Sequence, residues 1–247
     1  MAEPKMPQPI SDWMNEQMWG THHLVWHLAR RWDLTGPDAH NYVTSNGGSR
    51  ASRQEGVTGN GMDFLAMHRV MIRQLIHQFP ANAALFGGWP QPPTDPDDVN
   101  EPMPANPSPR PFNAAMAAAV NRVHTNIGSF ASDDELGLYL QTRIRPIAGV
   151  PDHLSPDVTA GIHNYLHNRF SDPTSPITMG DPSVNLHNQR FWRLHGWIDS
   201  RWTAFRAVKG LDETEAAYQQ ALAAAAAHMS HHHMHMMGMA EEEVKSA

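Results

Sequence analysis

Apolar residues recur at helical spacing along most of this chain, and no stretch alternates apolar and polar residues for long enough to require a β-sheet. Local signals agree with this pattern. Ser132 with Glu135 forms a capping box, and Ser155 followed by Pro156 is typical of a helix start. The sequence therefore predicts an all-α fold, with helices over residues 11–33, 62–79, 113–127, 132–144, 155–170, 186–208 and 211–227.

Three segments of different composition separate or follow these helices. Residues 35–61 are rich in Gly, Ser and Asn, which indicates a loop. Residues 80–112 carry closely spaced prolines, which exclude a regular helix or a central strand. Residues 228–239 read HMSHHHMHMMGM, a low-complexity sequence. We therefore predict one helical domain over residues 1–227 and a flexible tail rich in His and Met over residues 228–247.

The composition excludes several kinds of partner and site. A formal charge of -7 and only three lysines leave no basic stripe for nucleic acid. The absence of Cys excludes disulfides, thiolate metal sites and cysteine nucleophiles. The chain has no apolar run of membrane-spanning length and no signal peptide. We therefore expect a protein that does not act in a membrane and is cytoplasmic, or exported with a partner.

Histidine is unusually frequent, at 17 of 247 residues. The pairs His23/His27 and His163/His167 have the i, i+4 spacing that places two rings on one helix face, where they can bind one metal ion. With so many histidines such pairs also arise by chance, and a histidine on an amphipathic helix commonly lies at the edge of the core. The spacing alone therefore leaves a metal site and a plain structural role open for both pairs.

The sequence after the second pair adds context. His163-Asn164-Tyr165-Leu166-His167 is followed by a turn-rich stretch, SDPTSPITMGDPS, and then by FWRLHGWIDSRW. This order resembles the second copper motif of the tyrosinase family of type-3 copper proteins, which includes the catechol oxidases and hemocyanins. The residues in the matching register of the last segment are Phe191, His195, Ile198, Asp199 and Trp202. The resemblance implies that His163, His167 and His195 bind one copper ion.

The segment DFLAMHRVMIRQL resembles the first copper motif of the same family, and matches it at Phe64, Leu65, His68 and Arg69. The resemblance implies that His68 is a ligand of the other copper ion. His40, within Ala39-His40-Asn41, lies near the place where the family has its first ligand of that ion. In all, the resemblance covers residues 38–72 and 160–206.

The chain departs from the family at one ligand position. Family members usually have a histidine nine residues before the equivalent of His68, and here that residue is Gly59, which has no ligand atom. Three outcomes are open. Asn60 or water completes the first site, the site is empty, or another histidine supplies the ligand from a neighbouring helix, the candidates being His22, His23, His27 and His77.

The family resemblance also implies a fold and an activity. The fold is a tyrosinase-like four-helix bundle core with long irregular loops. The activity is copper-dependent oxidation or o-hydroxylation of phenols, catechols or aminophenols, with dioxygen and a small phenolic or aromatic molecule as partners. Asn164 would orient a water molecule or help to deprotonate the substrate phenol.

A second interpretation is a non-catalytic or mononuclear copper-binding protein whose first site is degenerate. Gly59 and the tail favour it, since mixed imidazole and thioether donors prefer copper, particularly Cu(I). The tail is then a copper-capturing arm, or else a merely disordered terminus. A copper-delivery partner is a further expectation. Other metal or hydrolase classes are excluded by pattern, because the sequence has no Glu-x-x-His, His-Glu-x-x-His or Gly-x-Ser-x-Gly.

Overall fold

The computed structural model of the chain describes residues 3–94, 98, 100–103, 114–142 and 161–245, with side chains for all of these except 114–115 and 231–245. Its helices are α1 (Gln8–Glu16), α2 (Trp19–Arg30), α3 (Pro37–Ser45), α4 (Asn60–Gln78), α5 (Ala114–Thr125), α6 (Asp133–Gln141), α7 (Ile162–Arg169), α8 (Gln189–Lys209) and α9 (Ala216–Lys245). Extended pairing within these ranges is limited to one bridge, between Lys5 and Asn188. The all-α prediction is confirmed. None of the helices in the described ranges has both the length and the apolar character needed to cross a membrane.

The single helix predicted over residues 11–33 is instead two helices, α1 and α2. Met18 has a left-handed backbone conformation, with φ 53°, and separates them. Just after this break, Gly20 passes so close to the loop between α7 and α8 that a Cβ atom would lie 2.3 Å from the Ser183 carbonyl oxygen. The break therefore lets α2 pack directly on that loop, a tertiary contact that apolar periodicity cannot reveal.

Residues 37–45, predicted as loop, form α3, so the loop prediction is wrong there. Pro37 stands in the first turn, where its missing N–H is not needed, and the acidic Asp38 follows it. Val43 is buried and packs on Val25 and Ala29 of α2. A helix this short with so few apolar residues has no repeating apolar pattern to detect.

The long helix α4 packs against α6, α8 and α9. Where α4 meets α6, Gly61 faces Gly137. A Cβ atom at Gly61 would lie 2.1 Å from the Asp134 carbonyl oxygen, and one at Gly137 would lie 2.1 Å from the Gly61 carbonyl oxygen. The two helices approach this closely because neither residue has a side chain.

A buried arginine joins α4 to α8. The Nε atom of Arg69 donates to the Asp199 carboxylate at 2.5 Å, and its Nη2 atom donates to the Thr203 hydroxyl at 2.7 Å. A buried guanidinium is stable only when its donors are paired. These bonds therefore hold α4 and α8 in one relative position, and the two helices carry His68 and His195.

Several local features that the sequence predicts are present in the structure. The Ser132 hydroxyl accepts a hydrogen bond from the Glu135 backbone N–H at 3.1 Å, as expected for the start of α6. Helices α4, α5, α6 and α8 lie within a few residues of their predicted bounds. Pro80–Phe86 forms a short 3-10 helix, so the proline series is not wholly irregular. The helix start predicted at Ser155 and residues 104–112 of the proline series lie outside the described residues.

Helix α9 runs through the segment rich in His and Met, beyond the end predicted at residue 227. The first side chains of that segment touch the body of the fold. The Nε2 atom of His228 lies 2.9 Å from the His22 carbonyl oxygen, and Met229 is buried. The beginning of the tail is therefore packed against α2.

Candidate metal centre

Six histidine rings from four helices meet inside the fold, with centroids of neighbouring rings 4.0–6.3 Å apart. Two helices contribute an i, i+4 pair each, and the two long helices contribute one ring each. The six are His23 and His27 on α2, His68 on α4, His163 and His167 on α7, and His195 on α8. The cluster thus has two similar halves, each made of a pair and a single histidine.

The first half consists of His23, His27 and His68. One ring nitrogen from each lies within 4.8 Å of the other two. The Nε2 atoms of His23 and His27 are 3.1 Å apart. His23 and His68 are buried, whereas the His27 side chain is 12% exposed. This half therefore reaches the edge of the interior at His27.

The second half consists of His163, His167 and His195. The Nε2 atoms of His163 and His195 are 3.1 Å apart. The His167 ring centroid lies 4.4 Å from that of His163 and 5.5 Å from that of His195. His68 also stacks on His195 at 4.0 Å, and its ligand atom lies within 4.8 Å of those of His163 and His195. His68 therefore stands between the halves.

Hydrogen bonds fix the tautomer of four of the six rings. In each, Nδ1 lies 2.7–2.9 Å from a backbone carbonyl oxygen, the pairs being His23 with Pro182, His68 with Phe64, His167 with Met179 and His195 with Phe191. A carbonyl can only accept, so Nδ1 carries the hydrogen and Nε2 presents a lone pair. The Nε2 atoms of His68 and His167 are buried and have no hydrogen-bond partner within the described part of the chain.

Burial keeps the rings uncharged. Loss of solvation lowers the pKa of His23 and of His167 to about 4, and it lowers the pKa values of His68 and His195 well below the usual value. Repulsion between neighbouring histidines adds to the effect at each of these four rings except His167. At neutral pH these four rings are therefore uncharged, which is the state in which imidazole binds a metal ion.

The spacing of the Nε2 atoms fits ligation of a transition-metal ion. Bonds from imidazole nitrogen to such an ion are about 2.0–2.1 Å long, so two ligands at 90–110° have nitrogens about 2.9–3.4 Å apart. The separations His23–His27 and His163–His195, both 3.1 Å, lie in this range. Neutral imidazole suits zinc, copper, iron and nickel. These histidines could therefore hold a metal ion of that group.

The loop between α7 and α8 orients one histidine of each half. Its Met179 carbonyl accepts from His167 at 2.7 Å, and its Pro182 carbonyl accepts from His23 at 2.9 Å. Two of its aspartates accept hydrogen bonds from backbone N–H groups two residues ahead, which stiffens the turns. The same short segment therefore positions both halves of the cluster.

One residue that the sequence predicts as a ligand lies apart from the cluster. His40, on α3, stacks on Trp32 with ring centroids 4.0 Å apart, and its Nε2 atom lies 2.9 Å from the Trp32 carbonyl oxygen. The structure brings together the other four, His68, His163, His167 and His195, and adds His23 and His27 beside His68. Of the three outcomes open for the first site, this arrangement matches a histidine pair supplied by a neighbouring helix.

The remaining candidate residues for the first site lie outside the histidine cluster. Gly59 is the residue before α4, with a left-handed backbone at φ 91°, and its N–H donates to the Asp134 carboxylate at 2.9 Å. A side chain there would be strained, which accounts for glycine. His22 and His77 line a different cavity, of about 510 Å³, between α2, α4 and α9.

An open cavity of about 270 Å³ reaches the i, i+4 pairs of both halves. Its apolar wall includes Leu28, Met179 and Pro182, and its polar wall includes Arg31, Glu55, Asn164, Asn168 and Asn185. The Asn164 Oδ1 atom lies 3.2 Å from His163 Nδ1, and its Nδ2 atom is buried without a hydrogen-bond partner among the described residues. A small molecule in this cavity would meet both histidine pairs.

Sequence reasoning did not identify Arg31 and Glu55 as residues of this site. Arg31 Nε donates to the Glu55 carboxylate at 2.8 Å, and Gln141 donates to the same carboxylate at 2.9 Å. Burial raises the pKa of Glu55, against the opposing effect of Arg31. Glu55 lies in a segment predicted as loop and is 24 residues from Arg31, so no local spacing indicates the pair.

Comparison of the sequence with models of known protein families finds no match. Comparison with curated proteins finds none either. The functional interpretation therefore depends on the residues and their geometry.

Proposed function

We propose that this protein is a copper-dependent oxidoreductase that oxidises or o-hydroxylates phenols, catechols or aminophenols with dioxygen, at a dinuclear site similar to those of the tyrosinase family. In this proposal His23, His27 and His68 hold one copper ion, and His163, His167 and His195 hold the other. Bound copper supplies electron transfer by cycling between Cu(I) and Cu(II).

The observation that carries the proposal is the convergence of six histidine rings, in which His23, His27 and His68 form one three-nitrogen group and His167 lies beside the close pair His163 and His195. Neutral imidazole is an intermediate ligand that both Cu(I) and Cu(II) accept. The two histidine groups contain no carboxylate, unlike the Glu-rich sites of di-iron bundles. An all-histidine set on rigid helices therefore favours redox copper over iron in a carboxylate bundle.

The cavity supplies the substrate side of the proposal. Leu28, Met179 and Pro182 can pack on an aromatic ring, and Asn164 lines the polar wall of the cavity next to His163. Oxidation of a catechol to a quinone releases two electrons and two protons, and reduction of dioxygen to two waters takes up four of each. Two catechols are therefore consumed for each dioxygen.

A second candidate function, a mononuclear copper-binding protein, is favoured by one specific observation. His68, His163 and His195 form a three-nitrogen group by themselves, drawn from both halves, with all three rings buried. A single ion held there would be bound by His68 together with His163 and His195. The histidine pair on α2 would then bind no metal. The two candidates therefore differ in the number of ions bound and in which histidines matter.

Copper titration of the full-length chain separates these candidates. To remove the tail's own donors, the histidines and methionines of residues 231–239 are replaced by Gln and Leu. We expect this chain to bind two copper ions, His27→Gln to bind one, and the exposed-site control His77→Gln to bind two. The reduced, loaded chain should develop a new near-ultraviolet band on addition of dioxygen and consume oxygen with a catechol.

Different results point to different conclusions. One copper ion per chain, bound equally well by His27→Gln, with no oxygen-dependent band, would establish the mononuclear candidate instead. No copper retained at micromolar concentration would overturn both.

A further inference from the structure

We infer that the cavity beside the histidine cluster is built for a single-ring aromatic substrate that carries a carboxylate, and that Arg31 is the residue that binds this carboxylate. That the bound molecule is oxidised rests on the proposed function, whereas its binding to Arg31 does not. The inference assigns a substrate class to the site and gives a specificity role to a residue that no copper motif contains.

The position of Arg31 is the first reason. It is the residue that follows α2, one turn beyond His27, and it lines the same cavity as both histidine pairs. Its positive charge acts on His27 and on His167, which belong to different halves of the cluster. A group bound to this guanidinium would therefore place the attached ring next to both halves.

The second reason is how Arg31 is held. Its Nε atom donates to Glu55, and Glu55 is fixed in turn by Gln141 and by its own backbone bond to the Arg30 carbonyl. The terminal Nη atoms of Arg31 have no hydrogen-bond acceptor within the described residues, and the side chain is 35% exposed. An anchored guanidinium with free terminal donors matches the two oxygens of a carboxylate.

The charge near the cavity supports an anionic ligand. Glu55 is buried with Arg31 and Gln141 on its two oxygens. Both carboxylate oxygens of Glu55 are therefore already hydrogen-bonded within the protein, whereas only the Nε atom of Arg31 is used. Bound metal ions would add further positive charge to the same space, so a negatively charged molecule is favoured over a neutral or cationic one.

The size of the cavity suits a ligand with one ring. Its volume of about 270 Å³ is below the range of roughly 300–1,000 Å³ that holds drug-sized ligands. Two amide atoms on the polar wall are buried and have no partner in the described chain, the Asn164 Nδ2 donor and the Asn185 Oδ1 acceptor. The side chains of Asn164 and Asn185 belong to the polar wall, so a ring with a hydroxyl or amino substituent as well as the carboxylate, such as a hydroxybenzoate or aminohydroxybenzoate, matches this lining.

Benzoate and benzamide provide the test, because they have nearly the same shape and differ in charge. Dissociation constants are measured by calorimetry on the full-length chain, metal-free and copper-loaded, for the unmodified protein, Arg31→Gln, Arg31→Lys and Arg50→Gln. Arg50 is a matched control, since it pairs with Asp33 on the surface away from the cavity. Thermal unfolding of each variant checks that it is folded.

We expect benzoate to bind at least about tenfold more tightly than benzamide to the metal-free protein. Arg31→Gln should abolish that preference, Arg31→Lys should retain part of it, and Arg50→Gln should leave it unchanged. Equal binding of the two probes, binding of neither, or a benzoate preference that survives in Arg31→Gln would overturn the inference. A preference confined to copper-loaded protein would also overturn it, because the carboxylate would then be bound by the metal.

This result is independent of the proposed function. If copper did not bind, the dinuclear proposal would fail while the Arg31-dependent preference of the metal-free protein remained measurable. If copper and oxygen chemistry were present without that preference, the substrate inference alone would fail.

Discussion

A buried imidazole can bind a metal ion only through a ring nitrogen without a hydrogen, and in this cluster backbone carbonyls select which nitrogen that is. His23, His68, His167 and His195 each give their single hydrogen to a carbonyl oxygen. Backbone acceptors cannot be lost by substitution of a side chain, so the orientation of these rings depends on the course of the chain. The orientation of these four rings is therefore set by the helices and by the loop between α7 and α8.

Acid should destabilise the metal-free protein through these rings. Histidine has a pKa near 6.5 in an unfolded chain, whereas burial lowers the pKa of His23 and of His167 to about 4. Between these values the unfolded state binds more protons, so the free energy of unfolding falls as pH drops from about 6.5 to 4. The full loss is on the order of 3 kcal/mol for each ring. Urea denaturation at several pH values measures it.

Two variants provide the comparison for this pH dependence. His23→Gln removes one buried ring and should flatten the slope between about pH 6.5 and pH 5. His77→Gln removes an exposed ring and should leave the slope as it is. A free energy of unfolding that is constant across this interval in the metal-free protein would contradict the prediction.

The predictability of the site differs from residue to residue. His68, His163, His167 and His195 stand in recognisable motifs, and the structure gathers them. His23 and His27 have the right spacing but no surrounding motif, so sequence could name them only as alternatives. The position of His40 depends on stacking with Trp32, and that of Arg31 on a buried partner distant in sequence. Such tertiary contacts cannot be recognised from the local sequence.

At the scale of elements, periodicity located the helices better than it located their ends. The break at Met18 allows Gly20 to approach the α7–α8 loop, and no apolar pattern encodes it. Without the break, α2 would continue the direction of α1 instead of packing on that loop. The helix interruption therefore contributes directly to the assembly of the first histidine set.

A close contact on α8 gives a test of how strictly this element is positioned. A Cβ atom at Gly196 would lie 2.2 Å from the Phe86 carbonyl oxygen and 2.5 Å from the Gly88 nitrogen. Alanine is favoured over glycine within a helix by about 1 kcal/mol, but a clash with backbone typically costs about 1–3 kcal/mol or more. We expect Gly196→Ala to lower the free energy of unfolding and to weaken metal binding at the adjacent His195.

The control for this substitution is Gly87→Ala. Its Cβ atom would meet only the Ala84 carbonyl oxygen, at an ordinary 3.6 Å, and the residue has a negative φ. Thermal unfolding and metal titration of both variants give the comparison. Equal stability of the two would show that α8 can shift without cost.

At the scale of the whole molecule, the fold repeats one plan around the cluster. A helix with an i, i+4 histidine pair and a long helix with a single histidine occur in the first part of the chain and again in the second. Arg69 and Asp199 join the two long helices directly. Apolar periodicity predicts the helices of both parts, but their convergence on one centre depends on packing that only the structure describes.

The loop between α7 and α8 touches both of these parts, and this has a consequence for how the protein fills with metal. Capture of one ion would immobilise the segment containing Met179 and Pro182, and a second ion would then find its histidine already in place. We expect uptake to be cooperative, so that native mass spectrometry of a chain given half the metal it can hold shows mainly empty and doubly loaded molecules. Statistical filling, with the singly loaded form most abundant, would show that the loop does not couple the two halves. When metal is scarce, a cooperative protein of this kind would consist mainly of molecules that hold both ions and molecules that hold none.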